Sequence, residues 1–163
     1  PAENKPDLPL AQAETLDALR VVAGRPGIAE VDERSLPHEL GFVRTAVHLS
    51  KGWFPGQETV AKIHNIGHPP RRLVRLHLDG SDTVFASAGD SVLAGDDVVG
   101  VVTTAGVHFE DGPVALAVIK RGVPTDADLT VSHEGHIINA RAEVIVPPST
   151  GATAVERLRP RGQ

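Results

Sequence analysis

The chain has 163 residues, with 16 Lys and Arg against 21 Asp and Glu, for a net charge of −5. That suits one ordinary domain, or a small domain with an appendage, able to remove roughly 70% of its extended-chain surface from water. The acidic balance argues against direct nucleic-acid binding, no apolar run nears the ~20 residues of a membrane span, and zero Cys excludes disulfides, thiolate metal sites and a Cys nucleophile.

Residues 1–9 (PAENKPDLP) carry three prolines and few apolar groups, which predicts an extended arm. From Leu10 to Ala23 helix formers dominate, with Ala13, Leu16, Leu19 or Arg20, and Ala23 at helical spacing before Gly24 and Pro26 stop it. Residues 25–41 hold Pro26, Gly27, Pro37 and Gly41 and read as an irregular crossing. Phe42–Leu49 alternates loosely, which predicts a short strand. Lys51-Gly52-Trp53-Phe54-Pro55-Gly56-Gln57-Glu58 is a turn feeding a short helix to Asn65, ended by Gly67 and Pro69-Pro70.

After Pro70 the pattern changes. Val74, Leu76 and Leu78 alternate with Arg75, His77 and Asp79, a half-buried strand ended by Gly80-Ser81. Val98–Ala105, Val114–Ile119, Leu129–Ser132 and Ile137–Val146 follow, separated by turn residues such as Gly95-Asp96-Asp97 and Asp111-Gly112-Pro113. Five or six short strands without intervening helices predict a small antiparallel barrel or sandwich. The fold class is therefore α+β. Residues 1–70 form a partial α/β unit (helix, short strand, loop and helix), 71–147 a Greek-key-like β-barrel, and 148–163 a mobile tail. The first unit is too short to close a core alone. With no Met and a loop-like start at Pro1, the chain reads as the C-terminal part of something longer.

Several groups carry candidate chemistry. Lys51 sits beside a glycine that allows a sharp turn, and Gly56-Gln57-Glu58 opens a helix whose N–H groups favour an anion. Glu58 either belongs to that site or caps its own helix and pairs with Lys51 or Lys62. Arg71 and Arg72 follow two prolines, and one of them is expected in a structural ion pair. Trp53 and Phe54, adjacent in an extended segment, are expected to be core residues, at least one at the domain junction. His64 with His68, and His133 with His136, lack a third ligand at convincing spacing, so no metal site is expected. No nucleophile elbow, Walker loop or GxGxxG is present.

The stretch Lys51–Leu73, KGWFPGQETVAKIHNIGHPPRRL, resembles the signature of the YgfZ-type folate-binding proteins, relatives of the glycine-cleavage T-protein (aminomethyltransferase). The matching residues are Lys51, Gly52, Gly56, Gln57, Glu58, Val60, Ala61 and Arg71 or Arg72. Leu19-Arg20 … Ala23-Gly24 and Leu36-Pro37-His38-Glu39 sit where that family has similar words and the downstream strands match its C-terminal barrel in order and length, so the resemblance covers nearly all of residues 16–147. It departs at Trp53, where the family has Cys, at Phe54, where it has Tyr, and at Val22, where the T-protein pattern has a Glu associated with the pterin.

The resemblance implies a tetrahydrofolate-binding accessory protein of the cytoplasm, active in iron–sulfur cluster assembly or repair and in tRNA modification. Lys51, Gly52, Trp53, Gly56, Gln57, Glu58 and Arg71 would contact the folate, and no residue of this chain would be catalytic. Its partners would be a missing N-terminal half, which walls most of the ligand cavity, and an iron–sulfur client enzyme. Two alternatives stand beside it: a degenerate paralogue acting as a non-catalytic interaction domain, and a folate-dependent aminomethyltransferase.

Overall fold

The computed structural model describes residues 12–81 and 83–153. The arm expected over 1–9 and the Arg-rich end of the tail, 154–163, lie outside the described residues. Two α-helices, α1 (Ala13–Val22) and α2 (Gln57–Ile66), precede six strands: β1 (Arg71–Leu78), β2 (Ser91–Ala94), β3 (Asp97–His108), β4 (Gly112–Lys120), β5 (Asp128–His133) and β6 (His136–Val144). The strands close into an antiparallel barrel in the order β1-β4-β3-β2-β5-β6. The β2–β3–β4 meander with β1 returning beside β4 is a Greek key.

Alternation builds the barrel from two faces. Val74, Leu76 and Leu78 of β1 point inward, with Val92, Val102, Ala115, Ala117, Ile119, Leu129, Val131 and Ile138 among their neighbours in the interior. Leu73 of β1 and Val114, Leu116 and Val118 of β4 point outward, into a second cluster with Val21 and Leu40. β4 therefore reads as an unbroken apolar run because both of its faces are covered. The segment before β1 has no core of its own. It completes its core on the barrel's outer wall.

Two expectations for that segment are corrected. The strand expected over Phe42–Leu49 is absent: Gly41, at φ 76°, leads into a 3₁₀ turn over Phe42–Arg44, and Phe42 packs onto the outer cluster. On α1 the buried residues are Ala18 and Val21, whereas Leu16 and Leu19 stay exposed.

The crossing between α1 and α2 is tied to the barrel by charge. Glu30, only 3% exposed, accepts hydrogen bonds from Arg20 (2.7 Å), the Gly27 N–H (2.6 Å), Thr103 (3.0 Å) and Thr104 (2.6 Å). Consecutive strand residues ordinarily face opposite sides. The register shift between Val102 and Thr104 in β3 inserts Thr103 as an extra residue, so both hydroxyls reach the same carboxylate. Glu39 and Asp32 are tied to Arg71 of β1, and the Arg75 guanidinium donates to the Val22 carbonyl and to Glu143.

Candidate functional site

The signature stretch forms an exposed lip ahead of α2. Lys51, Gly52, Trp53, Gly56 and Glu58 are exposed and Gln57 is half-buried. Gly56 sits at φ 78°, ψ 5°, a left-handed conformation that favours glycine, and it turns the chain into α2. A Cβ built at Gly52 or Gly56 would meet no atom within 4 Å, so the lip stands clear of the body of the protein. Among the described residues no side chain caps α2, and the first-turn N–H groups of Glu58 and Thr59 lack intrahelical acceptors. The Lys51 ammonium lies 5.7 Å from the Phe54 ring centroid, within cation–π range, and Phe54 is half-buried. Glu58 makes none of the ion pairs found among the described residues.

Trp53 is 83% exposed, which corrects the expectation that it packs in a core. Among the described residues the ring stays largely uncovered.

Behind the lip, α2 is held from two sides. Val60 is its buried residue, and His64 faces His38 with ring centroids 6.0 Å apart. On the other side the segment leaving the barrel clasps its C-terminal end. Thr153 donates to the His64 carbonyl at 2.8 Å, and the Ala152 N–H donates to the Ile63 carbonyl at 3.1 Å. Gly151, at φ 98°, passes so near Gly67 that a Cβ there would sit 2.3 Å from the Gly67 carbonyl oxygen.

Arg71 is engaged away from the lip. Its guanidinium bonds Asp32 at 2.7 and 3.1 Å and Glu39 at 2.8 and 3.1 Å, not Glu58. Asp32 is held well below the usual carboxylate range, first by the hydrogen bonds from Arg71, and Arg71 is held above its ordinary value by Asp32 and then Glu39. Arg72 points into the end of the barrel and is fully buried, with one bond to the Val123 carbonyl at 3.0 Å. The expected structural ion pair is therefore that of Arg71.

Among the described residues, no group of three or more His, Asp or Glu side chains is placed to hold a metal ion. His64 is turned to His38, His68 Nδ1 lies 2.9 Å from the Thr150 carbonyl, and His133 pairs with Asp90 at 2.9 Å. His133 and His136 flank the two-residue Glu134-Gly135 turn of the β5–β6 hairpin.

One residue of chemical interest has no signal in the spacing. His38 is 1% exposed, and neither of its ring nitrogens has a hydrogen-bond partner. Burial first, and the neighbouring His64 second, lower its pKa and favour the neutral ring.

The six-stranded Greek-key barrel, carrying a helical segment on its outer wall, defines a class. Residues 71–149, just under half of the chain, match the glycine cleavage T-protein C-terminal barrel domain. The fold is similar to that of the glycine cleavage system aminomethyltransferase T from Bartonella henselae, with a TM-score of 0.64 and 21% sequence identity over 81% of this chain. The likeness extends beyond the barrel into the helical segment. The matched region spans 37% of the Bartonella henselae chain. No curated protein sequence matches the chain at a significant level.

Proposed function

We propose that this chain is the ligand-facing and barrel portion of a YgfZ-type folate-binding accessory protein, serving iron–sulfur cluster assembly or repair and, through it, tRNA modification in the cytoplasm. The observation that carries the reading is the lip itself. Lys51 and the uncapped start of α2 lie on one exposed stretch, turned by Gly56. These groups suit the glutamate carboxylates of a tetrahydrofolate, and the exposed Trp53 ring offers a flat surface for stacking. The position of the family's pterin-associated Glu offers no hydrogen-bonding side chain here. Val22, at the position of the family's Glu, packs against the outer apolar cluster. The pterin would be held by a preceding domain that closes over the lip, and such a protein would meet an iron–sulfur client enzyme as its partner.

A second reading is favoured by the same Val22 and Trp53. An apolar residue at the pterin position and a large exposed ring at the thiol position describe a non-catalytic interaction domain that has lost folate. Tetrahydrofolate titration of the full-length protein separates the two. Binding is expected under the first reading, and Lys51→Ala weakens it by roughly 10- to 100-fold, the value of a charge-assisted hydrogen bond of about 1.5–3 kcal/mol. Absence of binding by the folded full-length protein selects the second reading. Unchanged affinity in folded Lys51→Ala removes Lys51 from the site. Methylene transfer from an aminomethyl donor would instead indicate a true aminomethyltransferase.

A further inference from the structure

We propose that the open edge of β3 at Ala105 and Val107 takes up an extended, basic segment of a partner protein as an added strand. β2 pairs with β3 only from Asp97 to Val101. The loop ahead of β2 adds two bonds at Val102, one from the Gly89 N–H to its carbonyl and one from its own N–H to the Asp90 carbonyl. From Thr104 to His108, β3 is paired with β4 alone among the described residues. Alternate residues of an antiparallel strand serve its two sides. Val102 turns its groups away from β4, and the inserted Thr103 resets the alternation, so that Thr104 and Gly106 serve β4 while Ala105 and Val107 face the other way. Pro113, opposite Val107, has no N–H to give, which agrees with a pair that exchanges no bonds. Neither the Ala105 nor the Val107 main chain finds a backbone partner outside the sheet among the described residues.

These groups are within reach of a partner. Ala105 is half-buried and Val107 is 59% exposed, and both line a cavity of about 510 Å³ whose other wall is α1. Gly106 seats the helix on the outer face of β3, where a Cβ would come within 3.3 Å of the Ala18 Cα, and the edge beside that contact stays open. The edge is also of the kind that pairs. Residues 103–109, Thr-Thr-Ala-Gly-Val-His-Phe, hold no Lys, Pro or acidic residue to blunt it. Phe109 and Leu19, 83% and 48% exposed, offer apolar contact to the side chains of an added strand.

Charge chooses the partner. No Lys or Arg lines the cavity, whereas Glu14 and Asp17 do, and Glu110 follows at the β3–β4 turn. Asp17 pairs with Arg20, but Glu14 and Glu110 make none of the ion pairs found among the described residues. A strand that alternates Lys or Arg with apolar residues meets both the carboxylates and the exposed apolar groups. A second copy of the chain would bring the same carboxylates to the edge. The chain's own Arg-rich end has Pro160 between Arg159 and Arg161, and proline cannot donate to a ladder. The site does not depend on the folate reading, because none of Lys51–Glu58 lines it.

The test is a titration of the ¹⁵N-labelled full chain with the peptide acetyl-Lys-Val-Lys-Val-Lys-Val-amide, followed through the backbone amides. A peptide with Glu in place of each Lys, and one with Pro in place of the central Val, serve as comparison probes. The Lys peptide is expected to bind with a Kd of ~100 μM, to move the Ala105 and Val107 amides most, and to slow their exchange with solvent. The Glu peptide and the Pro peptide are each expected to bind at least about tenfold more weakly, one lacking the charge and the other a ladder donor. Val107→Pro removes an edge N–H while keeping the pairing to β4, and is expected to weaken the Lys peptide about tenfold. The double variant Glu14→Lys, Glu110→Lys is expected to weaken it several-fold and to strengthen the Glu peptide. Binding that leaves the Ala105 and Val107 amides unmoved, or that persists unchanged in folded Val107→Pro, overturns the proposal. If Val107→Pro does not fold, the double variant decides, and unchanged affinity there overturns it. Equal binding of the Glu peptide overturns the basic partner. Movement of the two amides on dilution of the chain alone, or on deletion of residues 154–163, overturns it in favour of a second copy or of the chain's own end.

Discussion

Replacing Glu30 with Ala should be the most damaging single change to the segment that carries the candidate sites. Four donors converge on this carboxylate, from Arg20, the Gly27 N–H, Thr103 and Thr104, and at 3% exposure water cannot replace them all. Breaking a buried ion pair from one side costs about 3–5 kcal/mol. Arg20 keeps bonds to Asp17, the Arg25 carbonyl and Thr104, and its side chain is 24% exposed, which places the loss near the lower end, about 3 kcal/mol. Glu30→Gln can keep its oxygen toward Arg20 and Gly27 while its amide nitrogen faces the threonine hydroxyls, so it loses mainly charge, about 1–2 kcal/mol.

Acid supplies the second half of this test. Burial pushes the Glu30 carboxyl up, but hydrogen bonds from Thr104, Gly27 and Thr103, together with the Arg20 charge, outweigh it and leave the pKa lowered. A lowered folded-state pKa means the contribution is complete above the unfolded value, about 4.3, and disappears as pH falls through the folded value. The gap between the parent chain and Glu30→Gln should therefore be constant above about pH 5, begin to narrow as pH falls below about 4.3, and close once pH has passed the lowered folded value. Urea unfolding followed by far-ultraviolet circular dichroism measures it. Trp53 fluorescence does not serve, because the ring is already exposed in the folded state. An Ala variant within about 1 kcal/mol of the parent, or a Gln gap that persists into acid, would refute the assignment.

Two further outcomes follow from the same geometry. Trp53→Ala should change unfolding stability by less than about 0.5 kcal/mol, since the ring buries little surface, and a larger loss in urea melts would place the ring against the body of the protein. Arg71→Ala leaves the 1%-exposed side chain of Glu39 without its cation and should destabilise by about 2–4 kcal/mol, with tetrahydrofolate affinity of the folded full-length variant unchanged. A folded Arg71→Ala protein with parental stability and weakened folate binding would assign Arg71 to the ligand instead.

Much of the barrel was legible because its strands bury one face or two. β1 announces itself through Val74, Leu76 and Leu78, and β4 through a continuous apolar run whose second face is covered by α1 and the crossing. β2 was not legible. It has four residues, of which only Val92 is buried, too few to show a period of two. The misread strand after Gly41 had the right composition, but its Phe42 packs onto the outer cluster from a 3₁₀ turn rather than pairing in a sheet. Glu30 carried no signal because Thr103 and Thr104 lie more than 70 positions away, and the bulge that aligns them has no fixed residue pattern. The turn glycine of the lip was readable from Gly56, whereas the exposure of Trp53 was not. Aromatic rings are usually buried, and only the empty space around the lip overrides that tendency.

The attachments of the helical segment divide it into a fixed base and a free edge. Its outer cluster draws Val21 and Leu40 from the segment but Leu73, Val114, Leu116, Val118 and Val146 from β1, β4 and the chain just beyond β6. Charged ties add to this base: Glu30 to the β3 threonines, Glu39 to Arg71, and the Val22 carbonyl to Arg75. All of them act before residue 40 in the segment. Beyond that point, α2 and its lip depend on the buried Val60, on the His38–His64 contact and on the clasp by residues 150–153. Local stability follows local burial, so the lip can change conformation without disturbing the barrel. A ligand gripped by Lys51 and the start of α2 must therefore supply the ordering of that edge from its own contacts. That requirement is met most readily when a second wall closes over the lip and holds the ligand from the other side.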